Sequence, residues 1–383
     1  MKETCYTVIG AGHGGKAMAA DLAVKGFAVH LYNRTAERIS EIALRGEIEL
    51  EYEGGTQQLG RLAVVTSDIA EALDGADVIM VVLPASGHRD IARNCAPHLR
   101  DGQIIILNPG RTGGALEFRQ ILEREGCTAD VIVAEAGTFV FASRSTGPAQ
   151  ARIFRRKNAV PMAALPAVRT GHVLEIVCEA YPQFIPAPDV LHTSLDNMGA
   201  IFHPALTLLN AGWIERTKGD FQFYIDGVTR STAHVLEVLD RERVTIASAL
   251  GVRARPALRW LKDAYSAEGK TLYEAIQANA GYQGIKAPRN LRHRYIFEDV
   301  PFSLVPMASL GVQFGVDTWA IDAMVRLACV THGTNYYERG RTVEDMGLKG
   351  LRVGEVTRYV REGRVHPVYA IDVRRTNNAN QFT

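Results

Sequence analysis

The chain has 383 residues, of which 47% are hydrophobic and 22% charged, and its formal net charge is +1. Two domains are expected, because this length exceeds what one ordinary hydrophobic core holds. The balanced charge argues against a nucleic-acid-binding protein, which would show a basic excess. Apolar runs stop well short of the ~20 residues that span a bilayer, so no membrane partner is expected.

Targeting and metal signals are missing from the sequence pattern. A strand begins almost at the N-terminus and leaves no room for a signal peptide, so a cytoplasmic location is expected. The five cysteines form no C-x-x-C pair, and the eleven histidines lack metal-ligand spacing. We therefore predict no metal site.

The first predicted element is a strand that runs into a glycine loop, YTVIGAGHGG at 6–15, followed by a helix that ends at Gly26. This order is the dinucleotide-binding fingerprint. Gly10 permits the tight turn, Gly12 lets a pyrophosphate approach the backbone, and Gly15 lets the helix pack closely on the strand. The loop residues predicted to contact the cofactor are Gly10, Gly12, His13, Gly14 and Gly15.

The second strand, AVHLYNR at 28–34, ends where the residue that reads the cofactor ribose is expected. An acid here would bind the 2′-OH of NAD, but this chain has Asn33 and then Arg34. A guanidinium can pair with a 2′-phosphate, and Arg38 could add a second contact. NADP(H) is therefore favoured, and NAD(H) is the alternative. Arg34 could also be only a solvated charge at the strand end.

The following segments alternate between strand and helix, which predicts a doubly wound parallel sheet. Runs such as ADVIMVVLP and QIIILNPG have the continuous apolar character of strands that are covered on both faces. Pro84 to His88 and Asn108 to Arg111 follow the predicted fourth and fifth strands, at the edge where ligands bind. We expect Pro84 to line the cofactor site, although turn chemistry would also explain Asn-Pro-Gly.

The pattern changes after about residue 137. TFVFASRS, ARIFRRKNAVPMAALP and GHVLEIVCEAY are interpreted as extended segments that close the sheet, in part antiparallel. The proline-rich YPQFIPAPD marks a domain boundary, and the pattern beyond it is helical. We predict a nucleotide-binding Rossmann domain at 1–188 and an all-helical substrate domain at 189–383, with a frayed polar end, RRTNNANQFT.

Two segments of the second half place polar residues in apolar surroundings. One carries Asn197 and His203 in a helical run, and the other carries Arg294, Glu298 and Asp299 just before Pro301. With the glycine loop, they resemble the NAD(P)-dependent opine dehydrogenase family over nearly the whole chain. The segments that carry the resemblance are GAGHGG, DNMGAIFHPALTLLN, FYIDGVT, GYQGIKAP, RYIFEDVPFSLVP and GRTVEDMGL.

The resemblance implies a Rossmann domain fused to a helical domain, and the reductive condensation of an amino acid with a 2-oxo acid, usually pyruvate. By motif, His203 would be the catalytic histidine, Asp299 its acidic partner, and Arg294 the group that holds the oxo-acid carboxylate. The segment Asn33-Arg34 departs from NAD-using relatives, which carry an acid there.

These residue types also suit the chemistry on their own. A histidine can give and take a proton near neutral pH, and a carboxylate on its other nitrogen fixes the tautomer. Structural alternatives remain open at each position. His203 could be a core histidine, Asp299 or Asn197 a helix cap, and Arg294 an ion-pair residue. We expect His192, His234, His293 and Glu298 to be bystanders.

The sequence therefore predicts an NADPH-dependent enzyme that reduces the imine formed from an amine and a 2-oxo acid. One rival is a hydroxy-acid or ketopantoate-type reductase, which would lean on a second-domain lysine that the His203 and Asp299 segments lack. The other rival is a sensor that binds NADP(H) without catalysis. The expected partners are small molecules, and a homodimer is allowed for.

Overall fold

The structure is a computed structural model that describes residues 3–363, so the polar end of the chain lies outside the described residues. Twelve strands form two sheets. In chain order they are β1 Cys5–Ile9, β2 Ala28–Tyr32, β3 Glu47–Glu51, β4 Gln57–Arg61, β5 Val64–Thr66, β6 Val78–Val81, β7 Ile104–Leu107, β8 Ile132–Ala136, β9 Phe141–Gly147, β10 Gln150–Arg156, β11 Val160–Leu165 and β12 Phe184–Pro186.

The main sheet has eight strands in the order β12-β11-β8-β7-β6-β1-β2-β5. Its central strands are parallel, and only the pairing of β11 with β8 is antiparallel. The first-domain helices cover it on both faces: α1 His13–Val24, α2 Ser40–Arg45, α3 Ile69–Leu73, α4 His88–Cys95, α5 Gly114–Arg124 and α6 Thr170–Val177. The predicted doubly wound sheet is confirmed.

Beyond β12 the described chain is helical, apart from one isolated bridge between Gln222 and Lys286. Its helices are α7 Val190–Leu195, α8 Met198–Leu209, α9 Ala211–Thr217, α10 Arg230–Ala249, α11 Ala257–Tyr265, α12 Leu272–Gln277, α13 Arg294–Phe297, α14 Val305–Phe314, α15 Trp319–His332, α16 Tyr336–Arg339 and α17 Val353–Glu362. A π-helical turn, Val300–Leu304, joins the end of α13 to α14. None of the helices in residues 3–363 has the length and apolar character of a membrane span.

Side-chain alternation in the central strands divides the interior in two. Every residue of β6 and β7 is buried. Ile79 and Val81 of β6 belong to a core that continues into the helical half, whereas Val78 and Met80 face a second core that includes α1 and the smaller sheet. The helical half therefore packs on one face of the sheet, because alternate strand residues point to opposite faces.

The segments at 138–156 do not close the main sheet as expected. They form β9 and β10, which pair with each other, and β10 also pairs with β3, in a separate sheet of order β4-β3-β10-β9. This sheet packs on α1, where Lys16 donates hydrogen bonds to Ser145 Oγ at 3.2 Å and to the carbonyl oxygens of Gly147 and Pro148. Only β11, from the VPMAAL segment, extends the main sheet with antiparallel pairing.

Two further sequence predictions were wrong. The segment GHVLEIVCEAY is not extended: it contains α6, where Val173 and Val177, four residues apart, are buried. Packing of that face overrides the strand preference of β-branched residues. The strands β3 and β4 were missed, although Ile48 and Leu50 alternate with half-buried residues. Because these two strands precede them, Pro84 and Asn108 follow the sixth and seventh strands and not the predicted fourth and fifth.

Candidate functional site

The glycine loop has the backbone geometry that its sequence predicts. Gly10 adopts a φ of +111°, and its N–H donates to the Tyr32 carbonyl at 2.8 Å. A Cβ on Gly15 would lie 1.6 Å from the Gly10 carbonyl oxygen, whereas one on Gly12 would meet nothing within 4 Å. Gly15 is therefore required for packing, and Gly12 faces open space where a cofactor can approach.

The N-terminus of α1 is prepared for an anion. It has no side-chain cap and no acidic residue in its first turn, so its free N–H groups and its partial positive charge are unopposed. His13, the first helical residue, accepts a hydrogen bond at Nδ1 from the Ser145 N–H at 2.9 Å. Partial burial, with Arg144 and Lys16 nearby, lowers the pKa of His13. Its neutral ring therefore carries the proton on Nε2, as a donor. These features fit a dinucleotide pyrophosphate.

The residues predicted to read the ribose lie beside this loop. Asn33 Oδ1 accepts from the Ala11 N–H at 3.2 Å, so the side chain is held against the glycine loop. Arg34 is 77% exposed and lies 3.4 Å from the exposed Asp90 carboxylate. Such a surface ion pair contributes only about 0–1 kcal/mol to stability, so Arg34 can readily leave Asp90 to bind a ligand. Arg38 lies in the next turn, at Ala36–Arg38, and is also exposed.

The predicted histidine–aspartate pair is formed. His203 lies in the middle of α8, and Asp299 immediately precedes the π-helical turn. His203 Nδ1 is 2.8 Å from Asp299 Oδ2, and the Asp299 side chain is completely buried. The Tyr295 ring stacks on His203, with a centroid distance of 4.0 Å. Because Nδ1 is held by the carboxylate, Nε2 is the nitrogen that can exchange a proton with a ligand.

A buried arginine from the first half of the chain contacts the aspartate of this pair. Arg111, just past the end of β7, has its Nη1 3.4 Å from Asp299 Oδ1 and its Nε 3.1 Å from Glu298 Oε1. Its φ of +62° is unusual for a side chain other than glycine, and the two ion pairs hold it there. Burial alone would raise the pKa of Asp299, but Arg111 and then His203 outweigh it and keep the pKa below its usual value.

Sequence reasoning placed Arg111 at the edge of the sheet but did not pair it with the second half. It also expected Glu298 to be a bystander and did not pair this acid with the arginines of the site. Glu298 binds Arg111, accepts from the Ala85 N–H at 3.3 Å, and lies 3.3 Å from Arg294. The available signal was the pair of adjacent acids in an apolar segment, because such acids require a cation when buried.

Arg294 and Asn197 also lie at this site. The Arg294 side chain is 54% exposed, so it pairs with Glu298 and can still reach a ligand. Asn197 is at the N-cap position of α8 but makes no capping bond; its Nδ2 donates to Ser303 Oγ at 2.9 Å. A Cβ built on Gly199 would lie 3.1 Å from Arg111 Nη1, 3.3 Å from Asn197 Oδ1 and 3.3 Å from His203 Cε1. Three of the polar side chains therefore converge on one point.

The other predicted bystanders differ in position. His192 pairs with Asp189 at 2.8 Å, and His234 lies 3.7 Å from Glu237, so both have partners other than the His203–Asp299 pair. The ring of His293 is 4.4 Å from that of Tyr295, beside the site. Within residues 3–363, no group of histidine, cysteine and acidic side chains is arranged to hold a metal ion.

Comparisons with known families and proteins cover both halves. Residues 186–332 match the NAD/NADP octopine/nopaline dehydrogenase alpha-helical domain, and residues 6–125 match the N-terminus of NAD-dependent glycerol-3-phosphate dehydrogenase. The chain is 44% identical to an opine dehydrogenase of Arthrobacter sp. (strain 1C), over 90% of this chain and 96% of that protein. It is 27% identical to the ocs protein of Agrobacterium tumefaciens (strain Ach5), over 92% and 97% of the two chains.

Solved structures share the fold. Octopine dehydrogenase with NADH and L-arginine has a TM-score of 0.79 at 21% identity, covering 95% of this chain and 99% of that one. Yersinopine dehydrogenase with bound NADP+ has a TM-score of 0.70 at 16% identity, covering 94% and 99%. A ketopantoate reductase from Ralstonia eutropha is less similar, with a TM-score of 0.61 at 16% identity, covering 88% and 99%.

Two alanine substitutions separate packing from cofactor binding. Gly15→Ala places a methyl group 1.6 Å from a backbone oxygen, so we expect it to lower the free energy of unfolding by about 1–3 kcal/mol or more. Gly12→Ala meets no protein atom and should leave stability unchanged while it weakens NAD(P)H binding. Urea unfolding and NADPH fluorescence titration measure the two effects. Equal loss of stability in both variants would contradict the assignment.

Removal of the Arg111 charge should destabilise the protein in a pH-dependent way. Because the folded-state pKa of Asp299 is lowered, its stabilisation is complete above the unfolded value of ~3.9 and is lost progressively as the pH falls from there through the lower folded-state value. Arg111→Met should lower the unfolding free energy by about 3–5 kcal/mol at pH 7, and the deficit should shrink near pH 3.5. Arg111→Lys is the charge-retaining control. Urea unfolding at both pH values tests this, and a pH-independent deficit would argue against it.

Proposed function

This chain belongs to the NAD(P)-dependent opine dehydrogenase family, and on that basis we propose that its cleft joins an amino acid to a 2-oxo acid such as pyruvate. It is an NAD(P)-dependent oxidoreductase that acts on CH–NH bonds. An amine and a 2-oxo acid condense to an imine with loss of the oxo oxygen as water, and reduction of the imine by a hydride and a proton gives a secondary amine. The observation that carries the assignment of roles is the 2.8 Å contact between His203 and the buried Asp299.

The reduction of C=N needs a hydride at carbon, which NAD(P)H supplies when bound, and a proton at nitrogen. In the proposal, His203 Nε2 exchanges that proton. It first accepts one from the ammonium group of the donor, which frees the amine to attack the oxo carbon, and it later returns one to the nitrogen. Asp299 fixes the Nδ1–H tautomer and stabilises the imidazolium, and Arg111 keeps Asp299 ionised.

Arg294 is proposed to bind the carboxylate of the 2-oxo acid. Its guanidinium is half exposed, and a planar fork suits a carboxylate through two parallel hydrogen bonds. Asn197 is proposed to orient the substrate, because its Oδ1 lies near the point where His203 and Arg111 converge. Binding of the substrate by its fixed end holds the reacting carbon in one place, which removes much of the entropic barrier to reaction.

NADP(H) is the proposed cofactor preference. Asn33 is uncharged and does not repel a 2′-phosphate, and the exposed Arg34 and Arg38 follow it. Arg38 is close enough to Lys16 to lower that lysine's pKa, after the larger effect of burial, so Arg38 adds to the positive field beside α1. NAD(H) is the alternative. The related structures differ in this respect, since octopine dehydrogenase holds NADH and yersinopine dehydrogenase holds NADP+.

A ketopantoate-type reductase is the rival with the same fold. It is disfavoured because no lysine lies in the His203 and Asp299 segments. A non-catalytic sensor is disfavoured because a buried cluster of charged side chains costs stability unless it is used. Three expectations from the sequence stay predictions: the domain boundary near residue 188, a cytoplasmic location and a homodimer.

NADPH should be oxidised only when both an amine and a 2-oxo acid are present. We expect this in a steady-state screen of the twenty amino acids against pyruvate and related oxo acids, followed by NADPH absorbance. His203→Ala should reduce kcat about 10²–10⁴-fold. The exposed His234→Ala serves as the control. Oxidation with the oxo acid alone would indicate simple ketone reduction, and near-normal kcat in the His203 variant would remove that residue from the mechanism.

The cofactor preference depends on Arg34 and Arg38. The double variant Arg34→Gln with Arg38→Gln should raise KM for NADPH about tenfold or more, since hydrogen bonds to charged groups contribute ~1.5–3 kcal/mol, while KM for NADH stays within about twofold. Arg259→Gln, which removes an exposed arginine on α11, is the matched control. A parallel rise of KM for both cofactors would show that these side chains do not read the 2′-phosphate.

A further inference from the structure

Lys157 lies at the edge of the cleft, on a segment with no role in the function proposed so far. It follows β10, and its backbone N–H donates to the Val140 carbonyl at 3.0 Å. Its Nζ donates to Thr138 Oγ1 at 2.5 Å. Thr138 is two residues past the end of β8, so Lys157 is held at the carboxyl edge of the main sheet, where ligands of this fold bind.

Neighbouring residues relate this position to both the glycine loop and the reacting groups. The Phe139 ring, adjacent to Thr138, reaches within 2.9 Å of a Cβ built on Gly14. On the other side, Arg111 follows the neighbouring strand β7 and is close enough to repel the Lys157 ammonium. The Gly110 N–H donates to the Ala136 carbonyl at 3.3 Å, so the segment that carries Thr138 lies beside the loop that carries Arg111, and Arg111 in turn contacts Asp299.

The cations of this cleft differ in their partners. Arg111 binds two carboxylates and Arg294 binds one. Across residues 3–363, the Lys157 ammonium has the Thr138 hydroxyl as its hydrogen-bond partner and forms no ion pair. The side chain is exposed, yet desolvation, together with Arg111, lowers the pKa of Lys157 to about 8. An anion bound beside this ammonium would favour its charged form.

We propose that Lys157 and Thr138 bind the carboxylate of the amino-acid donor, opposite the site where Arg294 binds the carboxylate of the 2-oxo acid. The inference rests on the proposed function and adds the residues that hold the carboxylate of the amino-acid donor. Lys157 is the charged group of this subsite, and Thr138 fixes the direction of its ammonium.

Charge balance supports two carboxylate subsites. When His203 is protonated, the cleft has four cationic side chains, counting Arg111, Arg294 and Lys157, against the carboxylates of Glu298 and Asp299. The excess of two positive charges matches the two carboxylates that an amino acid and a 2-oxo acid bring. The new C–N bond forms between the two substrates, so two separate carboxylate subsites would leave the reacting atoms between them.

The test compares donors that differ only in the carboxylate. Lys157→Met should raise KM for the amino acid that the wild-type enzyme uses best about 10–100-fold, the effect of one charge-assisted hydrogen bond. KM for the amine made by removing that carboxyl group, KM for the oxo acid and Kd for NADPH should each stay within about twofold. Lys157→Arg should restore most of the loss, and Thr138→Val should show a smaller loss of the same kind. Lys262→Met, at an exposed ion pair on α11, is the control.

Other outcomes overturn the inference in distinguishable ways. An unchanged KM for the amino acid would show that Lys157 binds no substrate. An increase confined to the oxo acid, or to the Kd of NADPH, would assign it to that ligand instead. An equal increase for the amino acid and its decarboxylated amine would exclude carboxylate recognition. If the wild-type enzyme oxidises NADPH with no pair of substrates, the proposed function itself fails, and this inference fails with it.

Discussion

The buried ion cluster of Arg111, Glu298 and Asp299 is the interaction on which the candidate site depends. A guanidinium from the nucleotide-binding half neutralises two carboxylates of the helical half. Without it, two adjacent acids would be buried with too little compensation, and one would take up a proton. Asp299 can hold His203 in a defined tautomer because Arg111 keeps it ionised. The candidate site is therefore formed by the contact between the two halves.

A second buried cluster fixes the relative position of the two halves. Glu117 of α5 accepts from Arg341 Nε at 2.8 Å and from Arg89 Nε at 2.5 Å, and Arg89 also lies 3.2 Å from Asp345. Both arginines lower the pKa of Glu117, against the opposing effect of burial. The segment at 340–345 thus returns from the helical half to the first one. Together with the Arg111 cluster, it makes the cleft a shared feature of both halves.

The smaller sheet supplies parts that an ordinary doubly wound domain lacks. The hairpin of β9 and β10 is anchored to α1 through Lys16, and the Ser145 N–H of this hairpin fixes the ring of His13 at the glycine loop. The residue after β10, Lys157, reaches the carboxyl edge of the main sheet. These four strands therefore act on both ends of the cleft, and their departure from the expected sheet has functional consequences in our proposal.

The sequence alone determined the features that depend on neighbouring residues. The glycine loop, the alternation of strands and helices and the helical second half follow from local spacing, and the motifs around His203 and Asp299 identified the pair before any contact was known. Tertiary structure decided the rest. Three features depend on contacts between distant segments: the ion pairs of Glu298, the pairing of β10 with β3, and the helix at 170–177. Local propensity contributes only tenths of a kcal/mol per residue, whereas burial of a charge or an apolar face contributes several. Long-range packing therefore prevails wherever the two disagree.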